Sequence, residues 1–320
     1  MTGPNRVALL TDAAMEAHAA RGHPERPERL AAAAGGVEDG AHAAEALLDR
    51  PRVEEASDEE IERIHASWYL ASLDDAAGYG GGWLDADSYL ASRSMEAARL
   101  AAGATIGAAR AAVGGDAAVA FAVVRPPGHH AMPDRASGFC LINNVAVAVA
   151  ALRAEGLAHR IAVVDWDVHH GDGTQAIFDA DRDLCYCSTH QSPLFPGTGA
   201  TTERGSGDAA GTKHNRPLAP GSGDDALLAA WRDDLLPAIA AFEPEAILVS
   251  AGYDAHEDDP LANLRVTDAG YLQLATALGA LTRSLGLRGV ALTLEGGYDL
   301  AALRRSAAAS VQGLLEGMRA

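Results

Sequence analysis

The stretch Arg160-Ile-Ala-Val-Val-Asp165-Trp-Asp-Val-His-His-Gly-Asp172 joins a short apolar run to a dense group of ionisable residues. An apolar run of this length predicts a strand that is buried on both faces of a parallel sheet. The ionisable side chains that follow it would be costly to bury without a cation or mutual pairing. The stretch therefore predicts a buried strand with a chemical site at its carboxyl end.

The same alternation of short apolar runs and longer alanine-rich segments continues along the chain. It predicts strands near Val7–Leu10, Ala117–Val124, Arg160–Asp165, Leu184–Thr189, Ala246–Ser250 and Val290–Leu294. It predicts helices over Ser57–His65, Ser94–Val113, Leu141–Glu155, Asp224–Ala241, Thr267–Leu285 and Leu300–Met318. This order is typical of parallel βαβ units. We therefore expect an α/β fold with a central, mostly parallel sheet flanked by helices, formed by residues 1–320 as a single domain.

The composition limits the possible partners. The 320 residues are 48% apolar and carry a formal net charge of −19, and Lys213 is the only lysine. Such an acidic surface repels phosphate backbones, so we expect no nucleic-acid binding. It would instead attract cations such as polyamines or lysine-rich peptides, or it serves only to keep the protein soluble.

The cysteines and the apolar stretches bear on location. Cys140, Cys185 and Cys187 lie in apolar stretches and are too few for a disulfide framework. No stretch is long enough to span a membrane, and the apolar run near residue 10 is too short for a signal peptide. The sequence therefore predicts no membrane association and a cytoplasmic location.

Chemically active side chains follow four of the predicted strands. The four segments are Arg125–His130, Asp165–Asp172, Ala251–Asp254 and Glu295–Tyr298. In open parallel sheets, ligands bind beyond the carboxyl ends of the strands. We therefore expect the four segments to converge on one crevice.

A metal site is predicted by the spacing after the third strand. Asp165, Asp167 and His169 are two residues apart, so in an extended segment their side chains point the same way. One carboxylate and one imidazole from this segment, with Asp254 as a third ligand, would leave a coordination position open for water. That arrangement is typical of catalytic zinc.

Two histidines and a tyrosine complete the candidate machinery. His129 and His130 can act as general base and electrostatic partner if carboxylates fix their tautomers, and Asp165 and Asp172 are available for that role. The Tyr298 hydroxyl can donate a hydrogen bond to a developing oxyanion. The predicted chemistry is metal-assisted hydrolysis.

Taken together, these motifs resemble the histone deacetylase family of the arginase and deacetylase superfamily. The resemblance is closer to its class II and bacterial amidohydrolase branch, which includes acetylpolyamine amidohydrolases. It covers nearly the whole chain and implies the three-layer fold of that superfamily. The motifs that carry it are His23-Pro-Glu-Arg-Pro-Glu-Arg29, Arg125-Pro-Pro-Gly-His-His130, Gly138-Phe-Cys-Leu-Ile-Asn-Asn144, Asp165-Trp-Asp-Val-His-His-Gly-Asp-Gly173, Ser188-Thr-His-Gln191, Phe195-Pro-Gly-Thr-Gly199, Gly252-Tyr-Asp-Ala-His256 and Leu294-Glu-Gly-Gly-Tyr298.

The resemblance implies a role for each site residue. One zinc ion would be held by Asp167, His169 and Asp254. The resemblance further implies His130 with Asp172 as general base and acid, His129 with Asp165 as electrostatic support, and Tyr298 as oxyanion donor. The substrate channel would be formed by Phe139, Phe195 and the carbonyl of Gly138. The related arginases hold a second metal through further Asp ligands, and the His-His pair at 169–170 argues against that arrangement.

The resemblance also implies potassium. One ion would be bound by Asp165, Asp167, His169, Ser188 and Thr189. A second ion is expected near Phe178, Asp181 and Leu184, where backbone ligands leave little trace in the sequence.

The substrate is left open between several acylated amines. Leu261 stands where polyamine-selective relatives carry a glutamate, which favours acyl-lysine in a peptide or protein. Acetylated polyamines and other small amides are the alternatives, since the acidic surface and the loops 15–29 and 78–92 could supply cation recognition. A non-catalytic module that binds acylated ligands is a further alternative, and a homo-oligomer is possible.

Overall fold

The computed structural model describes residues 5–320. A sheet of eight strands runs through the molecule, and every neighbouring pair in it is parallel. Its strand order is β2-β1-β5-β10-β9-β6-β7-β8, and β3 and β4 form a separate antiparallel hairpin. The strands are β1 (Arg6–Leu10), β2 (Leu47–Asp49), β3 (Gly81–Trp83), β4 (Tyr89–Ala91), β5 (Val119–Ala122), β6 (Ile161–Asp165), β7 (Leu184–Gln191), β8 (Lys213–Leu218), β9 (Ala246–Ala251) and β10 (Val290–Leu294).

Helices cover both faces of the sheet, as the three-layer fold requires. One layer contains α4, which packs on β1, β5 and β10 and against α5, and the other contains α10, which packs between α1 and α9. A π-helical turn at Trp231–Leu235 joins α7 to α8. The helices are α1 (Glu28–Ala43), α2 (Asp58–Glu62), α3 (Ser67–Gly78), α4 (Ser94–Gly114), α5 (Asn144–Ala154), α6 (Asp172–Ile177), α7 (Asp224–Ala230), α8 (Leu236–Phe242), α9 (Asp268–Ser284) and α10 (Leu300–Arg319), with short 3₁₀ turns at Ala13–Ala17 and Gly207–Ala209.

The central strands are buried along their whole length. Every residue of β5, β6, β9 and β10 is buried. Because helices cover both faces, these strands are continuous apolar runs without alternation. This pattern also explains why they are visible in the sequence.

Glycines allow α1 to lie close to α10. A Cβ atom on Gly36 would lie 2.3 Å from the carbonyl oxygen of Arg304, and one on Gly40 would lie 2.4 Å from that of Ala308. No larger residue fits without moving the helices apart. The contact sets the distance between the two helices.

The six predicted strands are all present, and five of the predicted helices are found within a few residues of their expected ends. The predicted helix Ser57–His65 is shorter, because Ser57 caps α2 in a capping box with Glu60 and the helix ends at Glu62. The sequence did not indicate α1, α3, α6, the edge strands β2 and β8, or the hairpin. The hairpin lies within the expected loop 78–92, which therefore has regular structure.

Four further expectations concern the chain as a whole. All three cysteines are free and buried. No helix among residues 5–320 is long and apolar enough to cross a membrane. The single-domain organisation and the cytoplasmic location stay predictions.

Candidate active site

The four polar segments follow four neighbouring strands. In the sheet, β5, β10, β9 and β6 are adjacent in that order, and each is followed by one of the segments. Their carboxyl ends therefore meet at one edge, as expected for parallel strands. His129, His130, Asp167, His169 and Tyr298 line a cleft of about 220 Å³. Asp165, Asp172 and Asp254 do not line it, but each contacts one of the lining histidines.

Asp167 and His169, which line this cleft, converge with Asp254. Each offers one ligand atom, and the three atoms lie within 4.8 Å of one another. His169 Nδ1 is 3.0 Å from Asp167 Oδ1 and 3.2 Å from Asp254 Oδ2. Two carboxylates and one imidazole are an oxygen and nitrogen donor set that suits zinc.

The polar atoms of this trio are only partly satisfied. Asp254 Oδ1 accepts a hydrogen bond from Val168 N at 2.9 Å, but the buried Asp254 Oδ2 makes no hydrogen bond, because its 3.2 Å contact with His169 Nδ1 lacks hydrogen-bond geometry. Such an unpaired buried oxygen is costly unless a cation binds it. The trio therefore fits a metal ion.

Electrostatics lead to the same conclusion. Burial and the charge of Asp167 raise the pKa of the Asp254 carboxyl above its ordinary value. Burial disfavours charge on His169, but the hydrogen bond to Asp167 and the negative charges of Asp167 and Asp254 outweigh it and raise the pKa of His169 to about 10. The site attracts positive charge, as a cation-binding site must.

Glycines leave room for these carboxylates. A Cβ atom on Gly252 would lie 2.0 Å from Asp167 Oδ2, and one on Gly296 would lie 2.0 Å from Asp254 Oδ2. Gly296 also donates its N–H to Asp167 Oδ2 at 2.7 Å. The Ala-Gly-Tyr-Asp and Glu-Gly-Gly-Tyr segments need glycine there because the ligands approach the backbone.

His129 and His130 lie beside the trio, and each is oriented by its own carboxylate. The distance from His130 Nδ1 to Asp172 Oδ1 is 2.7 Å, and that from His129 Nδ1 to Asp165 Oδ2 is 3.1 Å. An ionised carboxylate only accepts, so each Nδ1 carries the proton that it donates to its carboxylate. Tyr186 also donates to Asp165 Oδ2, at 2.9 Å.

The two histidines differ in charge. Burial and the neighbouring positive charge of His129 lower the pKa of His130 to about 3. Burial also opposes charge on His129, but the carboxylates of Asp165, Asp167 and Glu295 outweigh it and raise the pKa of His129 well above its ordinary value. One imidazole is thus a neutral proton acceptor beside a charged one.

Aromatic residues form the walls of the cleft. The rings of Phe139 and Tyr298 are perpendicular, with centroids 5.9 Å apart, and Phe195 faces His130 at 5.0 Å. Phe195 is 43% exposed and Leu261 is 36% exposed, so both lie at the rim. Gly138 and Phe139 both have positive φ, at 53° and 70°. All four predicted substrate-binding residues line the cleft.

The predicted potassium ligands lie in two places. Ser188 and Thr189 are on β7, and Ser188 pairs in register with Asp165 on β6, so the first expected set is close together. At the second expected position, the carbonyl oxygens of Asp181 and Leu184 accept hydrogen bonds from Lys213 Nζ. Potassium at the first position stays a prediction.

Two buried acids near the site were not assigned a role from the sequence. Glu295 accepts hydrogen bonds from Gly128 N and His129 N, at 2.7 and 3.1 Å, and burial raises its pKa to about 7. Asp259 accepts from Tyr298 N at 2.6 Å and Leu261 N at 3.0 Å. Glu295 lies in the motif Leu294–Tyr298, and Asp259 lies three residues after the motif Gly252–His256. This position near the motifs is the feature of the sequence that could have indicated a role for the two acids.

A cluster of buried charges, which we call the Glu25 cluster, supports the tyrosine segment. It consists of Glu25, Arg29 and Arg125, all fully buried. Glu25 accepts from Arg29 at 3.0 Å and from Arg125 at 2.5 and 2.6 Å. Arg29 also donates to the carbonyl of Gly297 at 2.6 Å and lies 4.9 Å from the centroid of the Tyr298 ring.

The sequence and the fold of the chain are similar to those of known deacetylases. A model of the histone deacetylase domain matches residues 23–314. The chain is 39% identical to a probable deacetylase of Archaeoglobus fulgidus, over 87% of this chain and 77% of that protein. It is 38% identical to a histone deacetylase-like amidohydrolase of Pseudomonas aeruginosa, over 93% of this chain and 78% of that protein. The crystal structure of the HDA15 HD domain superposes with a TM-score of 0.89 and 37% identity, covering 98% of this chain and 90% of that one.

Proposed function

The chain belongs to the histone deacetylase family, a family of deacetylases and amidohydrolases, and from this premise we propose that it is a zinc-dependent deacetylase acting on acyl-lysine. The observation that supports zinc most strongly is the trio of Asp167, His169 and Asp254, in which a buried oxygen has no hydrogen-bond partner. We propose that residues 1–320 act as one catalytic domain.

Asp167, His169 and Asp254 would hold one zinc ion. When bound, zinc would polarise the acyl carbonyl and make water a stronger nucleophile. The His-His pair at 169–170 and the single trio found among residues 5–320 support one metal per chain.

His130 would move the proton. Its Nδ1 is held by Asp172 at 2.7 Å, so Nε2 accepts a proton from the attacking water and then donates it to the leaving amine. Burial and the charge of His129 lower the pKa of His130, so the resting imidazole is neutral and Nε2 can accept a proton, while Asp172 favours the protonated form. His129, paired with Asp165, supplies a fixed positive charge that stabilises developing negative charge.

Tyr298 would donate its hydroxyl hydrogen to the oxyanion. Burial keeps the pKa of Tyr298 well above its ordinary value, so the hydroxyl remains a donor at any working pH. The Gly138 carbonyl would accept the amide N–H of the substrate. Phe139 and Phe195 would enclose the aliphatic chain and exclude water from it.

The test is metal removal followed by turnover of a substrate panel. Purified protein treated with a chelator should lose activity on acetyl-lysine peptides, and one equivalent of zinc per chain should restore it. Two tightly bound transition metals per chain would favour an arginase-like centre. A zinc-loaded protein that binds acetyl-lysine peptides without turnover would instead support a binding module.

A second candidate substrate is an acetylated polyamine, and one observation favours it. Asp87 lies in the lining of the cleft with Leu261, and its carboxylate could pair with a distant ammonium group. Asp87→Asn should then raise KM for acetylspermidine much more than KM for an acetyl-lysine peptide with uncharged flanking residues. Equal changes in the two KM values, with better turnover of the peptide, would favour acyl-lysine.

A further inference from the structure

Lys213 is the only lysine of the chain, and it is fully buried. It is the first residue of β8, and its ammonium nitrogen donates to three oxygens. These are the carbonyl of Asp181 at 3.0 Å, the carbonyl of Leu184 at 2.8 Å and the hydroxyl of Thr212 at 2.6 Å. An ammonium group has three N–H bonds, so all of its donors are satisfied.

None of the three acceptors is a carboxylate. The Asp181 carboxylate, which is the nearest candidate along the turn, pairs with Arg153. Lys213 is thus coordinated by neutral oxygens, as a monovalent metal ion is when carbonyls replace its hydration shell. Burial lowers the pKa of Lys213 to about 8, so most of the ammonium stays charged at neutral pH.

The two carbonyls belong to the turn at 178–184, which joins α6 to β7. The same turn is where the family resemblance implies a second potassium ion, near Phe178, Asp181 and Leu184. A potassium ion needs these carbonyl oxygens, and the Lys213 nitrogen lies within hydrogen-bond distance of two of them. The residues present therefore do not fit a second potassium ion.

We propose that the Lys213 ammonium is a built-in cation that takes the place of the second potassium ion. The turn at 178–184 then keeps its shape without binding a metal ion. The shape of this turn matters for the site, because the turn connects two elements that hold site residues. Helix α6 begins at Asp172, which orients His130, and β7 carries Ser188 next to Asp165. A tethered cation cannot dissociate, so this part of the scaffold does not depend on potassium concentration, unlike a site filled by mass action.

The first test is thermal unfolding of zinc-loaded Lys213→Met in choline chloride and in KCl at equal ionic strength. Met replaces the unbranched apolar part of the side chain and removes the charge and the donors. We expect Tm to fall by roughly 5–10 °C in choline chloride, since three buried acceptors lose their partner. KCl should restore part of that loss, because the vacated oxygens can then bind K⁺.

Arg216→Met is the matched control. Arg216 is on the same strand, but its guanidinium pairs with the partly exposed Asp234 at 2.8 Å. This variant should lose less stability and should respond to KCl as the wild type does. An unchanged Tm for Lys213→Met, or a KCl response no larger than that of Arg216→Met, would overturn the proposal.

The wild-type protein provides a test that does not depend on the variant folding. Crystals grown in RbCl should show no anomalous peak bonded to the carbonyls of Asp181 and Leu184. Rubidium at that position in the wild type would overturn the proposal. Crystals of Lys213→Met, if it folds, should show the peak.

Discussion

The metal trio and the Glu25 cluster are both groups of buried charges, but they differ in how completely their polar atoms are paired. In the Glu25 cluster, one carboxylate accepts from two arginines, and both arginines donate further to backbone carbonyls. In the trio, two carboxylates share one imidazole, and Asp254 Oδ2 has no hydrogen-bond partner. A completed network supports the fold, whereas an incomplete one with excess negative charge marks where a ligand belongs.

The largest expected effect comes from removing a ligand of the incomplete network. Asp254→Ala should lower deacetylase activity by more than about 10⁴-fold and abolish zinc retention. The free energy of unfolding of the metal-free protein should change little, because the removal of one of two repelling buried carboxylates offsets the loss of the hydrogen bond from Val168 N. Zinc content, turnover and denaturant melts measure the three quantities.

Asp258→Ala is the control for this variant, since Asp258 is an exposed acid on the same loop that pairs with Arg305. It should keep zinc and activity. If Asp254→Ala destabilised the metal-free protein as strongly as a core mutation, the contrast between the two networks would be wrong.

The completed network should show the opposite behaviour. Glu25→Ala leaves Arg29 and Arg125 buried without their carboxylate, and we expect the free energy of unfolding to fall by about 3–5 kcal/mol. The exposed pair of Glu38 and Arg50 gives the control, because Glu38→Ala should cost less than about 1 kcal/mol. Similar losses for the two variants in urea melts would contradict this prediction.

The pH dependence of stability follows from the same carboxylate. Burial opposes the charge on Glu25, but Arg125 and Arg29 outweigh it and lower its pKa from 4.5 to about 2. A carboxyl whose pKa is lower in the folded state contributes stability that is fully present above pH 4.5 and is lost as the pH falls toward 2. Melts from pH 6 to 2 should therefore show a smaller acid loss for Glu25→Ala than for the wild type.

Tyr298 belongs to both networks, since it faces the cleft and packs against Arg29. Tyr298→Phe removes the proposed oxyanion donor and keeps the ring, so kcat should fall by roughly 10²–10³-fold. Zinc content and hydroxamate affinity should change much less, because a hydroxamate binds mainly through the metal. A near-normal kcat on the best substrate would leave His129, His130 and the metal to stabilise the oxyanion alone.

The smallest expected effect concerns Asp259, which positions the Tyr298 backbone. Its two oxygens accept N–H groups on opposite sides, from Tyr298 and from Leu261, and an asparagine cannot accept on both. Asp259→Asn should lower kcat by about 10-fold to 100-fold, which corresponds to one unpaired buried donor. KM and zinc content should change little, and an equal loss of zinc would mean that Asp259 acts on the metal ligands instead.

The sequence predicts the centre of the fold better than its edges. The strands β5, β6, β9 and β10 are continuous apolar runs because they are buried on both faces. The edge strand β8 reads Lys-His-Asn-Arg-Pro-Leu, and β2 has only three residues, so neither gives an apolar signal. Helix α1 contains glycines that lower helix propensity, and the reason for them is the contact with α10, which is not visible along the chain.

The sequence predicts the metal trio of the candidate site because its residues follow the same buried strands. Asp167, His169 and Asp254 follow buried strands, so the fold class alone brings them to one edge. The hydrogen bond from Arg29 to the carbonyl of Gly297 joins residues 268 positions apart. No spacing of residues along the chain indicates such a contact. Lys213 stands out in the sequence only as a rare residue, because its carbonyl partners leave no trace in side-chain chemistry.

The burial of Lys213 has a practical consequence for labelling and regulation. With no other lysine in the sequence, the folded chain presents no side-chain primary amine to solvent. Amine-directed cross-linkers, succinimidyl dyes and reactive acyl donors would find no lysine on the surface. If the enzyme acts on acyl-lysine, the folded chain presents no acyl-lysine of its own that would compete with the substrate for the cleft.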